Sequence, residues 1–200
     1  MLSPNIYLRY SLAAAIAISV TFPLGTLAES AQAQMSEQTA MQKSQAATKE
    51  YATTLKAALQ TAMKAGGPMA AIPVCHTQAP QIAAQVGKKY DLEIHRTSLK
   101  PRATPPQPWE KTVLEQFEVE KDAGKPIGKI VWHKTVEVDG QKELRLMKAI
   151  PTGEVCLTCH GTNVAPAVLS KIKSLYPNDE ATGYKLGDIR GAFSVTAALN

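Results

Sequence analysis

The chain has 200 residues, with 22 Lys and Arg against 17 Asp and Glu and a formal charge of +5. That length suits one domain with one sizeable core. Charges of both signs are interspersed, and the basic residues do not cluster with aromatics. The composition therefore argues against a nucleic-acid binder, and the mild positive balance fits an acidic partner or simply solvated faces.

The first stretch reads as a targeting segment. Leu12 to Phe22 is a short apolar run preceded by Arg9 and broken by Pro23 and Gly25. Ala31-Gln32-Ala33 forms a small-x-small cleavage site, with Ala28 as a nearer alternative. This is the layout of a secretory signal peptide over residues 1–33. The run is shorter than the roughly 20 apolar residues a spanning helix needs, so no stable membrane span is expected after cleavage. Residues 34–200 would then form one exported domain, in a periplasm or a thylakoid lumen.

Beyond the Ala-, Gln- and Ser-rich stretch from Ser30 to Thr48, helical spacing begins. Tyr51, Leu55, Ala58, Leu59, Ala62 and Met63 make one apolar face, and Gly66-Gly67-Pro68 is expected to end that helix. Thr77 is placed to cap a short second helix through Pro80, Ile82, Ala83 and Val86, ended by Gly87. Leu92 to Leu99 reads as a strand. The four prolines between Pro101 and Pro108 require an extended loop, and Trp109 to Lys121 reads as a helix with Val113, Leu114 and Phe117 inward. Ile127 to Val138 and Glu143 to Ile150 alternate around Asp139-Gly140, a strong hairpin signal. Ala165 to Leu175 reads as a helix and Gly191 to Leu199 as a closing strand. The sum is an α+β domain with four or five antiparallel strands and a long N-terminal helix.

Between the hairpin and the last helix lies Cys156-Leu157-Thr158-Cys159-His160. This is C-x-x-C-H, the attachment sequence of a c-type haem. Two thiols at this spacing reach the two vinyl groups of one porphyrin as thioethers, and the following histidine ligates the iron. A thioredoxin-type motif would need a βαβ setting, and a zinc site a second ligand pair; neither is visible. The expected cofactor is a single covalent haem c.

Cys75 is the third cysteine, and a lone thiol in an oxidising compartment is a liability unless it is buried or used. It is the favoured second iron ligand, with His76 beside it as the alternative. His95, His133, Met69 and Met147 are the other candidates, read as strand, core or surface residues. Arg96, Lys100 and Arg102 flank the prolines and are candidates for contacts to the haem propionates, with Arg190 similar. Trp109 and Tyr184 are candidates for packing on the haem edge.

Four runs resemble one family: AIPVCHTQAPQIAAQV; RTSLKPR followed by PWE; MKAIPTGEVCLTCHG; and YPNDEATGYKLGDIRGAFSV. It is the c-type haem domain of PAS-like fold, long catalogued as a domain of unknown function. It occurs as a free single-haem protein in cyanobacteria and as the periplasmic sensor region of bacterial signalling proteins. The resemblance implies an antiparallel sheet flanked by helices, one haem, and a Cys ligand that maps onto Cys75. The family's Asn-Pro after RTSLKPR is replaced here by Ala103-Thr104-Pro105-Pro106. The expected function is one-electron transfer at a low-potential haem to an unknown redox partner. The alternative is a redox or gas sensor acting through a separate partner. An enzyme such as a peroxidase is not expected, since the sequence offers no distal acid–base constellation.

Overall fold

The computed structural model describes residues 25–199, with side chains from residue 37 onward. Most of the expected signal segment, including Leu12 to Phe22, lies outside the described residues, as do the side chains at the two expected cleavage sites. No described helix is long and apolar enough to cross a membrane.

The long helix α1 (Gly25–Pro73) carries the apolar stripe seen in the sequence, with Tyr51 and Leu55 buried. The expected stop at Gly66-Gly67 is a kink rather than an end. Gly66 (φ −160°, ψ 24°) and Gly67 (φ 63°, ψ −155°) leave helical geometry, and the helix then resumes to Pro73. A π-helical turn, Val74–Gln78, joins it to α2 (Ala79–Tyr90). Thr77 therefore sits inside this turn instead of capping. α2 also runs past Gly87 and stops where Asp91 adopts a left-handed conformation (φ 58°).

Strand β1 (Glu93–Thr97) leads through the proline loop to α3 (Pro108–Asp122). α3 opens with a reciprocal capping box: the Gln107 side chain accepts from the helix backbone, and the Glu110 carboxylate accepts from the Gln107 N–H at 2.8 Å. After a 3-10 turn at Ile127–Lys129 come β2 (Val131–Val138) and β3 (Gln141–Pro151). Their two-residue turn has positive φ at both Asp139 and Gly140, as the sequence pair predicts. Two short helices follow, α4 (Glu154–His160) and α5 (Pro166–Leu175), and β4 (Ile189–Ala198) closes the fold.

The sheet has the order β1-β4-β3-β2 and is antiparallel throughout. The last strand thus lies in the middle, paired to both β1 and β3. The expected α+β class holds, in an arrangement compatible with a PAS-like domain. One face packs against α1 and α2 through Tyr51, Leu55, Val74, Ile82, Val86, Ile94, Leu146, Phe193 and Val195. Tyr51 meets Phe193 edge-on at 5.5 Å. The other face packs against α3 through Val113, Leu114, Phe117, Met147, Ala149 and Ala192. Burying both faces of a sheet between helices gives the two-sided core that stabilises such layered domains.

Candidate cofactor site

The three chemistry-bearing residues of C-x-x-C-H occupy one face of α4. Positions i, i+3 and i+4 of a helix lie above one another, so Cys156, Cys159 and His160 are neighbours. Gly153 precedes the helix in extended conformation. The helix is closed by the Gly161 N–H donating to the Leu157 carbonyl at 2.9 Å.

The chain then folds back to hold the end of α4. The N–H of Tyr184 donates to the His160 carbonyl at 2.9 Å, and that of Gly183 to the Gly161 carbonyl at 3.0 Å. Tyr184 lies edge-on to the His160 ring at 6.3 Å, and its hydroxyl bonds Ser98 at 2.9 Å. Gly191 allows β4 to run this close to β1. Its φ is 152°, and a Cβ there would stand 2.3 Å from the Thr97 carbonyl oxygen.

The imidazole of His160 is oriented at both nitrogens. Arg190 Nη2 lies 3.2 Å from Nε2. An arginine only donates, so Nε2 is the accepting nitrogen and Nδ1 carries the proton. Nδ1 donates to the Ala181 carbonyl at 2.6 Å. Burial pushes the His160 pKa well below its ordinary value, and repulsion from Arg190, Arg102 and Arg96 pushes it the same way, against the Ala181 hydrogen bond. The ring is held neutral, with one lone pair directed out of the backbone cradle.

Arg102 braces this cradle. Its Nε donates to Asp179 Oδ1 at 2.7 Å and its Nη2 to Asp179 Oδ2 at 3.2 Å, to the Cys159 carbonyl at 2.9 Å and to the Ala181 carbonyl at 3.3 Å. The sequence points to Arg102 as a partner for a cofactor carboxylate; the fold instead commits most of its donors to Asp179 and to two carbonyls. Arg190 has no carboxylate partner among the described residues. It lies over the Tyr184 ring at 5.1 Å. Its pKa is lowered by burial and by Arg96 and Arg102, against the opposing effect of Tyr184. Lys100 is exposed, 4.9 Å over the Tyr184 ring and 3.4 Å from the Thr182 carbonyl. Arg96 is exposed on β1.

Cys75 and His76 both lie in the π turn Val74–Gln78. Single π turns inside helices occur often at functional positions. Cys75 is half-buried and His76 exposed, with the His76 ring edge-on to Tyr176 at 5.1 Å. Burial raises the Cys159 pKa, and a negative charge on Cys75 would raise it further. All three cysteines are free thiols. Ile72, at the end of α1, packs with Cys159 and with Val168 and Ile172 of α5.

The other candidate ligands lie elsewhere. His95 Nε2 is 2.8 Å from Glu110 on the α3 side. His133 is exposed on β2, Met147 is fully buried in the α3 core, and Met69 is 47 % exposed. Trp109 stacks on Trp132 at 6.0 Å, away from α4. Asp179, Ala181 and Ser98 were not legible as site residues from the sequence. The signal available was that Asp179 falls in the family-like YPNDE run, while a backbone carbonyl such as Ala181 leaves none. Among the described residues no set of three or more His, Cys, Asp or Glu side chains converges on a bare metal site.

Fold and site together define a small α+β domain with two thiols and a histidine on one helix, a third cysteine in a π turn, and several arginines around the histidine. The chain belongs to the Tll0287-like family, whose sequence profile matches residues 27–198. The crystal structure of the cyanobacterial heme-protein Tll0287 is similar in fold. It has 24 % identity, covers 62 % of this chain and 71 % of that one, and gives a TM-score of 0.50. No curated protein matches the chain.

Proposed function

We propose that this protein holds one covalent haem c and acts as an exported one-electron carrier of low potential. The observation that carries this reading is the state of His160, with Nδ1 anchored on Ala181 and Nε2 held as an acceptor facing Arg190, on the same helix face as two thiols. A ligating histidine is normally fixed by such a bond at its other nitrogen. The donor set fits the group: Cys156 and Cys159 would form the thioethers, and His160 would ligate the iron together with Cys75, or with His76 as the alternative. Arg190, Arg96 and Lys100 supply the positive charge that two propionates require, and Arg102 stiffens the cradle instead.

When bound, haem supplies one Fe(III)/Fe(II) couple. The protein's own residues set its value. A Cys75 thiolate ligand would favour the ferric form and lower the potential, whereas the arginines would raise it; a ligating anion would outweigh charges further away. With both His160 and Cys75 available as ligands, electron transfer would be favoured over an enzyme that needs an open metal position. The family membership and the similarity to a cyanobacterial heme-protein support the haem part of this reading.

Acid–acetone extraction followed by mass spectrometry tests attachment. One haem retained on the chain is expected, and extractable haem, or none in a host that matures c-type cytochromes, overturns the reading. Cys75→Ala should change the ferric spectrum and raise the potential. If only His76→Ala does so, His76 is the ligand.

A sensor is the second reading, favoured by the π turn itself, a rare element that occurs often at functional positions. Hydrogen exchange on both redox forms separates the two. A carrier keeps similar protection from Ile72 to Val86, whereas a sensor loosens that segment on reduction.

A further inference from the structure

Strand β2 forms one edge of the sheet, and among the described residues nothing pairs with its outer side. The N–H of Ala149 donates to the Ile130 carbonyl at 3.1 Å. From there the pairing with β3 runs without a shift, from Val131–Lys148 to Val138–Gln141. Bonded and non-bonded pairs alternate along an antiparallel ladder. The even-numbered residues of β2 therefore direct their backbone groups at β3. Val131, His133, Thr135 and Glu137 present their N–H and C=O groups to the open side. An edge of this length, rich in β-branched residues, is a template for another strand.

We propose that β2 pairs antiparallel with β2 of a second copy of this chain, joining two four-stranded sheets into one about a twofold axis. Two constraints select the register. Residues directly opposite must share a face of the sheet, and the strands must overlap as fully as possible. Two registers satisfy both. One centres on Lys134 and sets it against the partner's Lys134, and like charges directly opposite are destabilising. The other centres on Thr135. It sets His133 against the partner's Glu137, twice by symmetry, and Thr135 against the partner's Thr135. Lys134 then meets the partner's Val136, and Trp132 meets the partner's Val138.

The Thr135 register is self-complementary, as a twofold interface requires. It employs groups that the single chain leaves idle. The side chains of His133 and Glu137 are exposed, with no partner among the described residues, and Val138 is 38 % exposed. Thr135 is engaged only through its side chain, whose hydroxyl donates to Glu37 at 2.7 Å on the α1 face. Its backbone N–H and C=O remain directed outward at the axis.

Sedimentation velocity of the isolated protein across the micromolar range tests this. A concentration-dependent dimer is expected, and a monomer throughout overturns the proposal. Thr135→Pro removes an N–H that has no partner among the described residues, and proline is tolerated at such an edge position. This variant should keep its far-UV circular dichroism and sediment as a monomer. A folded Thr135→Pro variant that dimerises like the parent overturns the proposal. Charge tests the register without touching the backbone. Glu137→Lys should weaken the dimer by about tenfold, and adding His133→Glu to it should restore association. No weakening, or no restoration, overturns the Thr135 register.

Discussion

The α3 face of the sheet and the α4 cradle both bury charge, and they treat it oppositely. On the α3 face, the Glu110 carboxylate is 1 % exposed, with Oε1 2.8 Å from His95 Nε2 on β1 and Oε2 accepting from the Gln107 N–H of its own capping box. Burial works to raise its pKa, but hydrogen bonds from His95, Ser194 and the Gln107 backbone outweigh burial and leave it lowered. In the cradle, Arg96, Arg102 and Arg190 all act on His160, and among the described residues only Arg102 has a carboxylate, Asp179. The Glu110 carboxylate has its partners within the chain. Three guanidinium groups with one carboxylate between them leave positive charge that suits an anion from outside the chain.

The largest test of this contrast is Asp179→Ala. The Arg102–Asp179 pair is nearly buried, with side chains 11 % and 2 % exposed. Removing one partner of a buried pair costs roughly 3–5 kcal/mol. Urea unfolding should show a loss of that order. It should also release the carbonyls of Cys159 and Ala181, so the ferric spectrum should broaden or split. A loss below about 1 kcal/mol would place the pair among ordinary surface bridges and remove Arg102 as a brace.

Glu110→Gln comes next and probes the balanced side. A carboxyl whose folded pKa is lowered contributes stability above its unfolded value. That contribution is lost as pH falls through the lower folded value. With an ordinary value of 4.5, the parent should lose this part of its stability below about pH 4.5. Glu110→Gln should be less stable at neutral pH by about 1–3 kcal/mol and show a flatter acid profile. Parallel profiles for the two proteins would mean that Glu110 is not ionised in the folded protein.

Arg190→Met is the smallest effect on stability and the sharpest on function. Arg190 lacks a carboxylate partner, so replacing it with an apolar side chain of similar length should shift unfolding by less than about 1 kcal/mol. Removing a cation from beside the oxidisable centre should lower the potential read by spectroelectrochemistry. A large loss of stability with an unchanged potential would show that Arg190 is structural, like Arg102.

The contrast also marks what a linear reading can see. Cys156, Cys159 and His160 are legible because their spacing alone, set on any helix, puts them on one face. The Asp139-Gly140 hairpin and the apolar face of α3 are legible for the same reason, since turn chemistry and periodicity are local. The kink at Gly66-Gly67 was legible as a break, but not the resumption after it, because the packing of Ile72 against α5 and Cys159 outweighs the local penalty of glycine and proline. Arg102 shows the limit most clearly. Its basic character suited a cofactor carboxylate, yet its partner proved to be Asp179, 77 positions away.

The sequence by itself determined the thiol and histidine spacing, the α+β class and most of the element order, all of which rest on interactions within a few residues. Only the tertiary structure decided that β4 fills the centre of the sheet and that Cys75 and His76 lie in a π turn near α4. It also decided which arginine is neutralised and which is left free. Those outcomes depend on contacts between distant segments, where burial makes the presence or absence of a single counter-charge decisive.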